Sequence, residues 1–99
     1  MSKNENINAM LKELAIPESI KPFNYPIVDW YDLDGNVFAI IGACSKAWRK
    51  VDLGVSQRIM EVVNNHAQDY HEALAFLRAI TNDAGDDTDE DNEETNWND

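Results

Sequence analysis

Apolar side chains recur at spacings of three and four over most of the first eighty positions, the period of helices with one buried face. The most regular run is Val37, Ile40, Ile41, Cys44, Trp48 and Val51, with Phe38 widening the stripe. It predicts a helix starting at Asn36, whose side chain can cap the first turn. Asp34 and Gly35 form the turn before it, with Gly35 able to take a positive φ. Gly54 is the expected stop, just beyond the cations Lys46, Arg49 and Lys50 that suit a helix C-terminus. Upstream, Ile7, Met10, Leu11 and Leu14 predict a first helix, capped by Asn4 or Asn6, and Pro17 either ends it or opens a short second turn through Glu18, Ser19 and Ile20. Downstream, Val55, Ile59, Val62 and Val63 predict a third. Asp69 and Glu72 have capping-box spacing and open a fourth, which presents Tyr70, Ala73, Leu74, Leu77 and Ile80 on one side and leaves Phe76 off that line.

Between the first two helices the period is lost. Pro22 and Pro26 favour extended backbone, and Ile27, Val28, Trp30 and Tyr31 are β-prone, so residues 26–31 are expected to form one short extended or edge-strand segment. Its partner would be Val37 to Ile41 in a hairpin or the same strand of a second copy. The expected fold is mainly α, a small helical domain of about four helices with that single extended segment.

Charge adds a division of the chain. The net charge is −11, yet residues 81–99 hold nine acidic residues and no Lys or Arg, leaving ten acids and eight bases in residues 1–80. A self-repelling segment whose only large apolar residue is Trp97 has almost nothing to bury. The expected organisation is therefore a helical domain over 1–80 and a disordered acidic tail over 81–99. The tail is a candidate partner-binding element through Asp86, Asp87, Asp89, Glu90, Asp91, Glu93, Glu94 and Trp97. A single cysteine, Cys44, allows no intrachain disulfide and suits a reducing compartment. No apolar run approaches the roughly 18 to 20 residues that span a bilayer, and the N-terminal stretch has no cleavage-like leader, so a cytoplasmic protein without membrane contact is expected.

Candidate chemistry is sparse. Asp29, Asp32 and Asp34 before Gly35 resemble part of a calcium loop, but Ile41 stands where the last carboxylate ligand is needed. His66 and His71 lie across an expected helix break and lack the further ligands of a zinc site. Cys44 sits on the apolar stripe, Ser45 lies in a helix without a nucleophile elbow, and no glycine-rich phosphate loop is present. No enzyme, metal or cofactor is expected. Lys46, Trp48, Arg49 and Lys50 form a basic and aromatic cluster, a possible ligand site or docking place for the tail; three cations on an acidic protein are too few to predict direct nucleic-acid contact. Ala39, Gly42 and Ala43 form a small-residue strip that suits close helix approach and are candidates for a homodimer interface. The competing reading is that Gly42 makes room for Trp48 or Trp30 in the chain's own core.

The segment Asp34-Gly35-Asn36-Val37-Phe38-Ala39-Ile40-Ile41-Gly42, followed by Ser45-Lys46-Ala47-Trp48-Arg49, resembles small proteins of tailed bacteriophages and prophages that read DGNAFAIIG with SKALR after it. Asp69-Tyr70-His71-Glu72-Ala73-Leu74 is similar to a DYDHLL-type segment of the same group. The resemblance covers roughly Tyr25 to Leu77 and departs from the pattern at Trp48, where the group has Leu. It carries no assigned activity, and it implies a phage origin and a role in host takeover or anti-defence. With the tail, it leads to the expectation of a non-enzymatic inhibitor that presents a nucleic-acid-like acidic surface to a host protein with a basic site, in the host cytoplasm. The alternatives are a nucleotide or small-ligand sponge, with Trp30, Tyr31 and Trp48 stacking on bases, and a structural accessory in phage assembly.

Overall fold

The structure, a computed structural model, describes residues 3–33 and 35–84. Among them the chain forms four α-helices, α1 (Lys3–Leu14), α2 (Val37–Arg49), α3 (Leu53–His66) and α4 (Tyr70–Ala79), and two short strands, β1 (Ile27–Val28) and β2 (Asn82–Asp83). Single 3-10 turns cover Pro22–Asn24 and Trp30–Asp32. The mainly helical class is as the apolar spacing predicts.

The ends of the helices follow local chemistry. Asn36 caps α2, its side chain accepting from the Phe38 N–H at 2.8 Å, and Asp69 caps α4 by accepting from the Glu72 N–H at 2.8 Å. Gly54 is not the stop of α2. It lies in the first turn of α3, which Asp52 caps by accepting from the Val55 N–H at 3.0 Å. Gly35 does not use a positive φ; the described residue that does is Ala15, at φ 57°. There α1 ends at Leu14, three residues before Pro17, and the Arg58 guanidinium donates to the Leu14 carbonyl at 2.8 Å and to that of Ala15 at 3.3 Å. These bonds supply partners to carbonyls that a helix end leaves open.

The core gathers one face from each helix, with Met10, Leu14, Ile41, Trp48, Ile59 and Phe76 all buried. Helices α2 and α3 fold back on each other, and their close approach is marked by reciprocal bonds: the Ser45 hydroxyl donates to the Ser56 carbonyl at 2.9 Å and the Ser56 hydroxyl to the Ser45 carbonyl at 2.6 Å. Ser45 is thus a helix-packing residue. Helix α4 meets both α1 and α2, so its buried arc is wider than the apolar spacing predicts and is shifted towards Phe76, which is fully buried, while Tyr70 at its rim is exposed. Phe38 stands outside the α2 stripe and is 65% exposed. Asn6 is not a cap: it lies inside α1, buried, and its amide donates to the His66 carbonyl and to Glu72 Oε1. Glu72 Oε1 also accepts from the Gln68 N–H at 2.7 Å, so the expected capping box closes one residue further back and extends to α1.

The extended segment differs from expectation in its partner. β1 pairs in parallel with β2, Ile27 opposite Asn82 and Val28 opposite Asp83. Neither a hairpin with Val37 to Ile41 nor a second copy supplies the pairing: Val37 to Ile41 is helix. The extended stretch is also shorter than residues 26–31, because Trp30–Asp32 turns. The boundary at residue 80 moves as well. Thr81 is buried, with its hydroxyl accepting from Trp30 Nε1 at 3.0 Å. The Asn82 amide donates to the carbonyls of Pro22 and Tyr25, both at 3.1 Å. The folded body therefore continues through Asp83. No helix of the described residues is long and apolar enough to cross a membrane.

Candidate functional site

A groove of about 350 Å³ lies between α2 and the segment that runs from β1 through the second 3-10 turn. Its apolar lining is made by Ile27, Val28, Leu33, Ala43 and Ala47. The helical register of α2 puts Lys46 and Lys50 on one wall. The turn after β1 puts Asp29 and Asp32 on the other, because a 3-10 turn brings residues three apart onto one side. The Asp29 carboxylate raises the pKa of Asp32, first through a shared side-chain hydrogen bond and then by like-charge repulsion. The groove thus has two positive groups on its α2 side and two negative ones on its other side, with apolar residues also in its lining. Such a layout suits binding of an amphoteric or self-complementary surface, since the charged groups would fix orientation while the apolar lining buries area.

The basic cluster read from the sequence is only partly assembled. Lys46 and Lys50 line the groove, whereas Arg49 is exposed outside its lining. Trp48 belongs to neither ligand nor tail docking: it is fully buried, donates from Nε1 to the Ile80 carbonyl at 2.8 Å, and lies 5.4 Å from the Tyr25 ring. The apolar stripe and the basic cluster both include Trp48, and tertiary packing resolves the conflict in favour of the core. Trp30 is also buried, under the Arg78 guanidinium at 4.5 Å. Tyr31, by contrast, is 92% exposed.

The small-residue strip is a surface feature. Ala39 and Gly42 are exposed, Ala43 is half-buried at the groove, and a Cβ added at Gly42 would meet nothing within 4 Å. Gly42 therefore makes room for neither Trp48 nor Trp30. Asp86, Asp87, Asp89, Glu90, Asp91, Glu93, Glu94 and Trp97 lie outside the described residues, as does Asp34 of the calcium-like triplet. Among the described residues no group of three His, Cys, Asp or Glu side chains is placed to hold a metal ion. Burial pushes the Cys44 thiol up to about 12, which removes the thiolate that nucleophilic chemistry needs.

Sequence reasoning misses the aspartate wall. In the linear pattern Asp29 and Asp32 are visible only as a failed calcium loop, and nothing there says that Lys46 and Lys50 face them. Their three-residue spacing in a Pro- and Gly-bounded loop is the available signal. No family model, curated protein or solved structure matches this chain.

Proposed function

We propose that this is a non-enzymatic binding protein of phage type that acts in the host cytoplasm by presenting its acidic C-terminal segment to a basic site on a host defence or nucleic-acid-handling protein. The observation that carries this reading is charge segregation. Residues 1–80 are nearly balanced, whereas residues 81–99 hold nine acids without a single base. The fold gives that segment a fixed origin, because β2 is tied to β1 and to the carbonyls of Pro22 and Tyr25. A run of carboxylates beginning at a rigid point mimics the charge density of a phosphate backbone, and complementary fields of this kind speed encounter and select partners with basic clefts. No cofactor, metal or direct nucleic-acid contact is part of the proposal.

The nucleotide-sponge reading loses two of its three stacking rings, since Trp30 and Trp48 are core residues. The test is inhibition of a panel of host nucleases and nucleic-acid-handling enzymes by the full chain and by a chain ending at residue 84. The full chain is expected to inhibit one of them, with an affinity that weakens on the order of tenfold or more as salt is raised through the physiological range. The shortened chain is expected to be inert. Equal inhibition by both would overturn the proposal.

A further inference from the structure

The groove and its borders hold exposed charged and apolar side chains. Ile27 is 59% and Tyr31 92% exposed on the strand side. On the helix side, Ala39 and Gly42 are exposed, and a Cβ added at Gly42 would meet nothing within 4 Å. Lys46 and Lys50 form no ion pair with any described residue, and neither do Asp29 and Asp32. Charges of opposite sign thus come to the groove from α2 and from the 27–33 segment, and the same two segments carry the exposed small residues Ala39 and Gly42 and the exposed large apolar residues Ile27 and Tyr31.

The geometry points to a second copy of this chain as the occupant of that groove. A two-fold axis lying along the groove exchanges its walls, so α2 of one protomer lies over the 27–33 segment of its partner. Lys46 and Lys50 then oppose the carboxylates of Asp29 and Asp32 across the interface, twice by symmetry. Ile27 and Tyr31 of each protomer seat against Ala39 and Gly42 of the other. An axis across the groove would instead set lysine against lysine and aspartate against aspartate, so charge selects the first arrangement. The same charges disfavour the other occupants: an acidic peptide, the chain's own C-terminal segment included, meets Asp29 and Asp32, and a basic one meets the lysines.

Sedimentation of the full chain over a micromolar concentration series tests this directly. The expected result is a dimer whose dissociation constant rises at least about tenfold, some 1.4 kcal/mol, in Gly42→Arg and in the pair Lys46→Glu with Lys50→Glu. Adding Asp29→Lys and Asp32→Lys to that pair is expected to restore the dimer, because the walls are again opposite in sign. All positions are on the surface, and unchanged circular dichroism melts show that each variant is folded. A wild-type monomer throughout the series would overturn the inference, whether the groove is open or filled by the chain's own acidic segment. So would a dimer indifferent to Gly42→Arg and to charge reversal.

Discussion

At the scale of single residues, stability rests on a few side chains that satisfy polar groups inside an apolar core. Trp48 is the clearest. Its ring fills the space between α2 and Tyr25, and its Nε1–H is the hydrogen-bond donor to the buried end of α4 at Ile80. Trp48→Phe keeps most of the apolar area and removes the donor, and is expected to cost about 1 to 3 kcal/mol in urea unfolding, the penalty of an unpaired buried carbonyl. An unchanged midpoint would mean that water reaches that carbonyl. Cys44 gives a second residue-level expectation. Its thiol is raised from 9.0 to about 12 by burial, so the folded chain keeps a proton that the unfolded chain loses. Its contribution is fully present below 9.0 and is lost as pH rises towards about 12. A thiol reagent at mildly alkaline pH is expected to label Cys44 only at the rate of unfolding, and rapid labelling of folded protein would contradict its burial.

Among the elements, the decisive contact is the parallel pair of β1 and β2, which brings residues 27–28 and 82–83 together. Two-residue strands have little stability alone; here Asn82 also donates its backbone N–H to the Pro26 carbonyl at 2.9 Å, and Thr81 links Trp30 to Leu77. Ending the chain at residue 80 removes all of these bonds, whereas ending it at 84 removes none of them. The shorter form is expected to melt several degrees lower, and the form ending at 84 to melt with the full chain. Equal melting of the two shortened forms would show that the pairing contributes nothing. This segment also marks a limit of pattern reading. Residues 81 to 83 read as tail when their composition is averaged with the acidic run C-terminal to them, and composition carries no information about a strand partner more than fifty positions away.

For the whole molecule, charge and symmetry act together. A two-fold dimer built on the α2 groove would carry two acidic segments, and a bivalent ligand gains avidity when both can engage at once. Dimer-breaking Gly42→Arg is then expected to weaken inhibition of a partner with two basic sites while leaving a partner with one unaffected, measured as the change in inhibitory concentration for each. The proposed function and the proposed dimer fail separately, the first by removal of residues beyond 84 and the second by mutation of α2.

Local order is legible in the sequence because it is local. The three-four spacing, Asn36 and Asp69 as caps, and the burial of Cys44 all depend on neighbours within one or two turns, where covalent geometry fixes who can meet whom. Only the tertiary structure decided which of two plausible partners a residue took: Trp48 the core over a ligand, Asn6 the Glu72 carboxylate over a cap, residues 27–28 the strand at 82–83 over a hairpin. It alone set Asp29 and Asp32 across from Lys46 and Lys50. Those outcomes depend on contacts between distant positions, whose free energy comes from the packing of several helices at once and is not written in any one segment.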